Sequence, residues 1–553
     1  MKTVIVGGVA GGASCAARLR RLKEKDEIVL LERGEFVSFA SCGLPYHIGG
    51  EIPEESGLTL QTPESLRRRF RIDVRTGSEV TAVNTDKKTV TVRRVATGEE
   101  YTESYDALVL APGAAPIRPE IPGVEDARVF TLRSIPDTKK ITQFIETADP
   151  HTAVVVGGGY IGCEMAENLK KAGLEVTIVE RSDHLLPPLD FDMAAEVHTY
   201  LRKKGVRLAL RRSLTEIRRE KEALVAVLDR GEITADMVVL AIGVRPDTAF
   251  LADSGIELTP HGSIVVDSGM QTSAPDVFAA GDAVTVRNFI TDEPDFIPLA
   301  GPANREGRIA ADRIAGLSSE YGGTQGSSIL RLFDMTAATT GLNESSAARA
   351  GIDYDKTYTY SASHAPYFPG ATMMSLKLLW ERSTHKIIGA QIVGFDGVDK
   401  RMDVIATALR LGAKVEELAT LELCYAPPFN SAKDPVNIAG MVAENVITGK
   451  LRQFFWHDVA ALPRDGSVTL LDTRTDAEVA RGRIDGFLHI PLDSLRERID
   501  ELPKGKPVYV NCRSGFRSYL ACRILAGYGF TAYNLAGGYR FYEIVMQELA
   551  EQS

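Results

Sequence analysis

Two segments of the chain repeat the same order of a strand, a glycine-rich turn, a helix and a second strand. The turns read Gly-Gly-Val-Ala-Gly-Gly at residues 7–12 and Gly-Gly-Gly-Tyr-Ile-Gly at residues 157–162, and the second strands close with Glu32 and Glu180. Glycine permits a tight turn and close approach of a pyrophosphate, and an acid about 20 residues on binds a ribose hydroxyl. One such unit is weak evidence, but two in one chain predict two bound dinucleotides.

The two glycine turns are not equivalent. Val9 stands where the central glycine of G-x-G-x-x-G belongs, so an ordinary strand–turn–helix unit stays open for the first turn, whereas the second keeps the full spacing. Glu180 would repel a 2′-phosphate, which favours NADH, although the adjacent Arg181 leaves NADPH open. The expected NAD-binding residues are Gly157, Gly159, Tyr160, Ile161, Gly162, Glu180 and Gly243.

Length and composition limit the number of domains, the kinds of partner and the location that can be expected. With 553 residues, 44% of them apolar and 25% charged, the chain is expected to form three or four soluble domains. The net charge of −10 argues against nucleic-acid binding but not against a local basic pocket. Six scattered cysteines without a CxxC pair indicate reduced thiols and no metal site. A strand that begins at residue 3 and the lack of long apolar runs predict a cytoplasmic protein without a membrane partner.

Cys42 lies within Ser-Phe-Ala-Ser-Cys-Gly-Leu-Pro-Tyr at residues 38–46, here named the Cys42 loop. No second cysteine lies within ten residues, so a redox partner must come from a substrate, from oxygen or from elsewhere in the fold. Gly43 and Pro45 are expected to open a short helix. Its unpaired N–H groups predict a lowered pKa for the Cys42 thiol.

Further strands end in glycine at residues 108–113 and 238–243, and the strand at residues 277–279 leads into Gly281-Asp282. Together these pieces resemble the flavoprotein disulfide reductases with two dinucleotide folds, in which the first fold binds FAD and the second NAD(P)H. The resemblance implies that Asp282 contacts the ribityl chain of the flavin. The expected FAD-binding residues are Gly7, Gly8, Gly11, Gly12, Glu32, Arg33, Ala111, Gly113, Gly281 and Asp282.

The presence of a single cysteine in the Cys42 loop distinguishes between the branches of that superfamily. Dithiol members carry a second cysteine where this chain has His47, and the oxidases and peroxidases of the single-cysteine branch carry a catalytic histidine where this chain has Ala10. The Cys42 loop is similar to that of the coenzyme A (CoA)-disulfide reductases, although Ser41 replaces their usual asparagine. Ser14, Arg18 and Arg21 share one helix face and could hold CoA phosphates, whereas a solvated face is the plainer alternative. The expected CoA-binding residues are Ser14, Arg18, Arg21, Ser38, Ser41, Arg71, Asn304, Arg308 and Lys433.

The segment after residue 323 carries two motifs that resemble the same reductases closely, at residues 364–371 and 425–434. The resemblance implies a homodimer in which Tyr367 and Tyr425 reach the Cys42 sulfur of the neighbouring subunit, where a phenol can protonate a departing thiolate. Buried aromatic residues at a dimer seam are the alternative. Cys424 is expected to have a packing role.

A fresh α/β pattern begins after residue 450. Cys512 ends a strand and opens a helix, so backbone N–H groups would surround its sulfur. The loop resembles that of a single rhodanese domain, in which the cysteine carries a persulfide, while a non-catalytic rhodanese-like module stays open. The expected persulfide loop comprises Arg513, Ser514, Gly515, Phe516 and Arg517, with positive charge from both arginines.

Over nearly its whole length the chain resembles CoA-disulfide reductases fused to a rhodanese domain, including NADH-dependent persulfide reductases. The resemblance implies an α/β protein with two dinucleotide-binding (Rossmann-like) domains, an α+β dimerisation domain and a C-terminal α/β rhodanese domain. The expected boundaries are residues 1–115 with 246–322 for the FAD-binding domain, 116–245 for the NAD(P)H-binding domain, 323–450 for the dimerisation domain and 451–553 for the rhodanese domain.

The implied reaction carries electrons from NADH through FAD to Cys42, which attacks a CoA disulfide, a CoA persulfide or a polysulfide, while Cys512 relays sulfane sulfur. Small thiols, persulfides and CoA, as bound substrate or cofactor, are the expected partners. Three alternatives stay open: an NADH oxidase or peroxidase with a Cys42 sulfenate, a sulfurtransferase centred on Cys512, and a redox sensor.

Overall fold

A computed structural model describes residues 1–552 of the chain. The α-helices, in chain order, are α1 (Ala10–Leu22), α2 (Leu44–Ile48), α3 (Pro63–Phe70), α4 (Ile135–Ala148), α5 (Tyr160–Lys171), α6 (Phe191–Lys203), α7 (Ala300–Ile314), α8 (Glu344–Arg349), α9 (Val398–Arg410), α10 (Pro435–Ile447), α11 (Asp476–Val479), α12 (Phe516–Gly527) and α13 (Gly538–Glu551). Each helix within residues 1–552 is too short or too polar to cross a bilayer.

The strands of the first half of the chain are β1 (Lys2–Val6), β2 (Glu27–Leu31), β3 (Asp73–Arg75), β4 (Ser78–Asn84), β5 (Thr89–Arg94), β6 (Glu100–Ser104), β7 (Ala107–Leu110), β8 (Ala114–Pro116), β9 (Val129–Phe130), β10 (Thr152–Val156), β11 (Glu175–Glu180), β12 (Arg207–Leu210), β13 (Leu214–Glu220), β14 (Ala223–Leu228), β15 (Glu232–Ala235), β16 (Met237–Leu240), β17 (Val244–Pro246), β18 (Ile264–Val265), β19 (Val277–Ala279), β20 (Val284–Arg287) and β21 (Pro294–Asp295). The later strands are β22 (Ser328–Leu332), β23 (Met335–Gly341), β24 (Tyr354–Ala362), β25 (Met373–Glu381), β26 (Ile387–Gly394), β27 (Gln453–Phe454), β28 (Thr469–Asp472), β29 (Leu488–His489), β30 (Val508–Asn511) and β31 (Ala532–Leu535).

The first compact unit comprises residues 1–181 and 206–326. It holds two parallel five-stranded sheets, in the orders β19-β7-β1-β2-β3 and β12-β11-β10-β16-β9. Val4 lies opposite Val29 and Leu108 in the first sheet, and Val154 takes the equivalent central place in the second. These central strands are apolar on both faces because a parallel sheet is covered on both sides. The duplicated architecture follows from the duplicated sequence pattern.

Close packing between α1 and α7 stabilises the first dinucleotide fold. A Cβ atom on Gly307 would lie 2.2 Å from the carbonyl oxygen of Gly11. Only glycine at residue 307 therefore lets the α7 backbone approach α1 so closely. Since α1 begins at the first glycine turn, this contact fixes where the turn lies.

The second compact unit comprises residues 182–205 and the chain from residue 327 onward. It holds an antiparallel sheet in the order β22-β23-β26-β25-β24 and a parallel sheet in the order β27-β31-β30-β28-β29. The parallel sheet covers the region in which a rhodanese domain was expected. On α13, the guanidinium of Arg540 pairs with Glu196 of α6 at 2.6 Å, so the last helix packs on the segment 182–205.

A buried ion network lies at the centre of the second unit. The side chain of Lys377 is fully buried. Its ammonium lies 2.7 Å from Asp190, 2.9 Å from Asp192 and 2.5 Å from Glu344. Three carboxylates that could otherwise share a metal ion therefore surround a lysine. Such a network is strongly destabilised when one partner is removed, because a charge then stays buried without a counter-charge.

Candidate active site

The first glycine turn forms a cradle that side chains would fill. Gly7 has a φ of +92°, and a Cβ there would lie 2.0 Å from the carbonyl oxygen of Ala111. A Cβ on Gly12 would lie 1.9 Å from the carbonyl oxygen of Gly7. The turn is therefore closed to larger residues, and it presents backbone N–H groups at the start of α1, where a pyrophosphate binds.

The second glycine turn reproduces this geometry. Gly157 has a φ of +108°, with its Cβ position 2.2 Å from the carbonyl oxygen of Ala241, and the Cβ position of Gly162 lies 1.9 Å from the carbonyl oxygen of Gly157. No atom lies within 4 Å of the Cβ position of Gly159, the residue before α5. A dinucleotide backbone can therefore approach both turns, and the residues present fit two such cofactors.

The two acids that close the second strands take equivalent positions. A carboxylate oxygen of Glu32 accepts a hydrogen bond of 2.8 Å from the N–H of Gly8, and Glu180 accepts one of 2.7 Å from the N–H of Gly158. Each carboxylate thus lies at the glycine turn, where a ribose hydroxyl is expected. Arg33, which was also expected to bind FAD, has an exposed side chain that pairs with Asp247 at 2.9 Å.

The Gly281-Asp282 turn carries two partners that the sequence did not indicate. Glu306 accepts a 2.7 Å hydrogen bond from the N–H of Gly281, and Arg133 lies 3.5 Å from the carboxylate of Asp282. Burial raises the pKa of Glu306 to about 7, and the negative charge of Asp282 adds to the shift. The Arg133 guanidinium also lies 2.6 Å from the Cβ position of Gly113, so it joins two of the predicted FAD-binding segments.

The Cys42 loop is tied to the first glycine turn. Ser38, in the left-handed region with a φ of 47°, donates its N–H to the carbonyl oxygen of Gly8 at 2.7 Å. Cys42 lies in a single 3-10 turn, Ser41–Gly43, before α2, and is exposed. Cys42 is therefore accessible beside the expected FAD cradle, although its surroundings partly desolvate the sulfur.

The predicted lowering of the Cys42 pKa is wrong. Desolvation of the sulfur raises the pKa of Cys42, the carboxyl of Glu164 raises it further, and a hydrogen bond with Ser41 opposes the shift. The helix that follows Cys42, α2, spans five residues. Any effect of its N-terminus is outweighed, because desolvation and a neighbouring carboxyl both disfavour the thiolate.

Glu164 is a site residue that the sequence reasoning missed. It lies on α5, and the Tyr46 hydroxyl donates a 3.3 Å hydrogen bond to its carboxyl. Burial raises the pKa of Glu164 to about 7, while that hydrogen bond opposes the shift. The sequence signal was an acid two residues after the last glycine of the second turn.

A basic cavity of about 380 Å³ opens beside the Cys42 loop. Ser14 and Asn304 are joined across it by a 2.5 Å hydrogen bond, and Arg18 pairs with Asp312 at 2.7 Å. Six of the predicted CoA-binding residues line the cavity, namely Ser14, Arg18, Arg21, Ser38, Asn304 and Arg308. It is also lined by residues that were not predicted, among them Gln61, Arg69 and Phe70.

Three predicted residues do not line this basic cavity, namely Ser41, Arg71 and Lys433. Arg71 is the left-handed residue that ends α3, its side chain is 79% exposed, and it lies 3.8 Å from Glu24. Arg69, two residues earlier, takes the place in the cavity that Arg71 was expected to fill. Residues 67–71 contain four arginines, and the helical register decides which of them faces the cavity.

In the second unit, Tyr367 and Tyr425 form an exposed pair. Their hydroxyl oxygens lie 3.0 Å apart, and the residues are 73% and 50% exposed. Cys424, for which a packing role is expected, is exposed in the single chain. Lys433 is exposed as well. Two exposed phenols in hydrogen-bond contact can act as a proton donor pair toward a group that approaches them.

The Cys512 loop, residues 512–518, surrounds a buried sulfur with donors. Cys512 is 1% exposed, and its sulfur lies 3.1 Å from the N–H of Gly515 and 3.1 Å from the hydroxyl of Ser518. A Cβ on Gly538 would lie 2.6 Å from the nitrogen of Ser514, so the start of α13 packs directly on the loop. Ser518 was not among the predicted residues.

The positive charge expected of the loop is largely compensated. Arg517 makes two hydrogen bonds to Glu478, of 2.7 and 2.6 Å, and these bonds lower the pKa of Glu478 to about 2. Arg513 lies 3.6 Å from Glu543. The Cys512 sulfur therefore relies on neutral hydrogen-bond donors more than the sequence indicated.

The chain belongs to the pyridine nucleotide-disulphide oxidoreductases. Residues 1–307 match that family, residues 328–435 match its dimerisation domain, and residues 456–543 match the rhodanese-like domain. The predicted fold class is confirmed, and the chain is an oxidoreductase that uses FAD and NADH. The domain boundaries and the roles of individual site residues stay predictions.

Three relatives indicate which members of this oxidoreductase family the chain is similar to. A coenzyme A disulfide reductase of Staphylococcus aureus (strain bovine RF122 / ET3-1) is 36% identical over 445 residues, which cover 80% of this chain and 100% of that protein. The crystal structure of reduced Bacillus anthracis CoADR-RHD is 46% identical, with a TM-score of 0.96, and covers 99% of this chain and 98% of that chain. A NAD-dependent persulfide reductase from A. fulgidus is 36% identical, with a TM-score of 0.92, and covers 98% of this chain and 100% of that chain. The predicted resemblance is confirmed.

Proposed function

We propose that the chain reduces CoA disulfides and CoA persulfides with NADH through Cys42, and that Cys512 relays sulfane sulfur. The observation that carries the proposal is the basic cavity beside the Cys42 loop. Arg21, Arg69 and Arg308 line it, and so does Ser38 of the loop itself. An anionic ligand held there by its phosphates can bring a sulfur to an exposed thiol.

The relatives support the same substrate class. They include proteins named for coenzyme A disulfide reduction and for NAD-dependent persulfide reduction, and the second covers the rhodanese-like region as well. A peroxidase or oxidase that cycles through a sulfenate is not favoured, because Ala10 stands where those enzymes carry a catalytic histidine.

The residues of the chain divide the chemistry between them. When bound at the first glycine turn, FAD supplies a two-electron carrier between NADH and a disulfide. The Cys42 thiolate attacks one sulfur of a CoA disulfide, which forms a Cys42–CoA mixed disulfide and releases one CoA thiolate. Two electrons from NADH then break the mixed disulfide and restore the Cys42 thiolate with release of the second CoA thiol.

The proton for the departing thiolate has a candidate source in the Tyr367–Tyr425 pair. We place this pair at the Cys42 sulfur of a second subunit in a homodimer. The exposure of both phenols and the match of residues 328–435 to the family's dimerisation domain support this arrangement. A phenol that shares a hydrogen bond with another phenol can donate one proton while the second hydroxyl keeps its orientation.

Steady-state NADH oxidation tests the proposal with CoA disulfide, CoA persulfide, polysulfide, oxygen and peroxide as separate acceptors. Wild type is compared with Cys42→Ser and Cys512→Ser, and Cys424→Ser serves as the matched control because it removes another exposed thiol. We expect Cys42→Ser to abolish turnover with both CoA substrates and Cys424→Ser to leave it unchanged. Full activity of Cys42→Ser, or fast turnover with peroxide alone, contradicts the proposal.

A further inference from the structure

We propose that Ser518 and Asn534 form a hydrogen-bond relay that stabilises Cys512 as a thiolate at the moment sulfane sulfur leaves it. The inference deepens the proposed function and rests on its claim that Cys512 carries sulfane sulfur. Ser518 touches the reacting sulfur, whereas Asn534 acts through Ser518 and is a positioning residue.

The surroundings of Ser518 are buried, and protein atoms supply its hydrogen-bond partners. Ser518 is fully buried, and Asn534 is 5% exposed. The Ser518 hydroxyl oxygen lies 3.1 Å from the Cys512 sulfur, 3.2 Å from the carbonyl oxygen of Gly515 and 2.5 Å from Oδ1 of Asn534. Water is therefore not needed to complete the hydrogen bonding of this hydroxyl.

One proton must serve these three acceptors. A serine hydroxyl has a single hydrogen and two lone pairs, while an asparagine amide offers an oxygen that accepts and a nitrogen that donates. With Oδ1 of Asn534 toward Ser518, the hydroxyl donates to Asn534 and the sulfur keeps only the Gly515 N–H. A half-turn of the amide brings its nitrogen forward. The hydroxyl then accepts from Asn534 and donates to Cys512.

The two orientations of the Asn534 amide correspond to the two states of the Cys512 sulfur, the persulfide and the thiolate. In the transfer step, an acceptor thiolate attacks the outer sulfur of the Cys512 persulfide. A new sulfur–sulfur bond forms to the acceptor, the bond from the outer sulfur to Sγ breaks, and Sγ takes the electron pair. The negative charge reaches Sγ only as this bond breaks, so a donor aimed at Sγ stabilises the transition state more than the persulfide.

Other groups around Cys512 leave this role to Ser518 and Gly515. Arg517 of α12 is held by Glu478 of α11, and Arg513 pairs with Glu543 of α13. Cys522 of α12 is buried, and burial raises its pKa, with Cys512 contributing to the shift. Asp472 of β28 is paired with Arg474. The charged groups of the surrounding elements are thus already committed to partners.

The test loads the full-length protein with sulfane sulfur from thiosulfate, which converts the Cys512 thiolate to a persulfide and releases sulfite. Transfer to CoA thiol is then measured in a single turnover, together with the pH dependence of Cys512 alkylation read by peptide mass spectrometry. We expect Ser518→Ala to slow transfer about 10- to 100-fold and to move the alkylation midpoint of Cys512 to higher pH. Ser518→Thr keeps the hydroxyl and should restore both. Asn534→Ala should also slow transfer, because the hydroxyl loses the amide donor that turns its hydrogen toward Cys512 and can donate instead to the carbonyl oxygen of Gly515.

NADH-dependent reduction of CoA disulfide through Cys42 is the internal control, and we expect it unchanged in all three variants. The relay is overturned if Ser518→Ala leaves transfer rate and alkylation midpoint unaltered, or if Ser518→Thr is as slow as Ser518→Ala. If Ser518→Ala does not fold, the Asn534→Ala variant provides the test. An unaltered transfer rate in Asn534→Ala also overturns the relay. Failure of the proposed function would instead appear as CoA disulfide reduction that survives in Cys42→Ser.

Discussion

The phenol of Tyr46 and the carboxyl of Glu164 share a 3.3 Å hydrogen bond that joins the helix after Cys42 to the helix of the second glycine turn. Glu164 also raises the pKa of Cys42, after the larger contribution of desolvation. The reactivity of the thiol therefore depends on a residue that lies far from it in the sequence, on the helix of the second glycine turn.

Replacing Glu164 with glutamine should lower the pKa of Cys42, because the neighbouring negative charge is lost while an acceptor for Tyr46 remains. Since burial raises the pKa of Glu164 to about 7, wild type and Glu164→Gln should differ above pH 7 and converge below it. The rate of Cys42 alkylation against pH checks this. A thiol midpoint that stays in place or rises in Glu164→Gln contradicts the electrostatic role.

Removing either phenol hydroxyl should slow CoA disulfide reduction without weakening substrate binding. We expect Tyr367→Phe and Tyr425→Phe each to lower kcat at least about tenfold, because protonation of the departing thiolate is lost. The double variant should cost less than the product of the single effects, since the two hydroxyls act as one unit. Tyr528→Phe, at an exposed phenol of the rhodanese-like region, is the control. Unchanged kcat in the double variant would remove the pair from the mechanism.

Arg69 and Arg71 provide a matched comparison for the basic cavity. Arg69 lines the cavity, whereas Arg71 points its 79% exposed side chain toward Glu24. We expect Arg69→Ala to raise the KM for CoA disulfide about tenfold and to weaken its dependence on salt, with Arg71→Ala near wild type. Initial rates at several salt concentrations measure this. The reverse ranking, with Arg71→Ala more damaging than Arg69→Ala, would assign the ligand contact to Arg71.

Glu306 should make stability depend on pH. Burial raises its pKa to about 7, above the unfolded value, so the folded state keeps a proton that the unfolded state has lost between about pH 4.5 and pH 7. Stability must therefore fall as pH rises through this window, by up to about 3 kcal/mol for this group. Glu306→Gln should raise the thermal midpoint relative to wild type at pH 8 and not at pH 4. An equal difference at both values would exclude titration of Glu306 as the cause.

Much of the fold could be predicted because its signals are local. A glycine turn between an apolar strand and a helix requires positive φ at Gly7 and Gly157, and the structure has it at both. The carboxylates of Glu32 and Glu180 each accept a hydrogen bond from an N–H of their glycine turn, so their placement follows from the strand–turn–helix geometry. Cys42 and Cys512 were identified for the same reason, since each lies in a short loop with a distinctive local pattern.

The remaining site residues depend on how distant elements pack. Glu164 approaches Cys42 only because α2 and α5 meet, and Glu478 neutralises Arg517 from 39 residues earlier in the chain. The predicted low pKa of Cys42 is wrong because tertiary packing desolvates the sulfur and brings the carboxyl of Glu164 close to it. Arg69 replaced Arg71 in the cavity because helical register, which a run of arginines does not reveal, sets the direction of each side chain.

The central claim is that Cys42 exchanges electrons with a CoA-borne sulfur, and trapping the mixed disulfide tests it most directly. Full-length enzyme is treated with dithiothreitol to free the Cys42 thiol, desalted, mixed with CoA disulfide in the absence of NADH, quenched in acid and mapped by peptide mass spectrometry. We predict one CoA attached through a disulfide to the peptide that contains Cys42, with one CoA thiol released and no such adduct in Cys42→Ser. An unmodified Cys42, or CoA attached to Cys512 alone, would contradict the account.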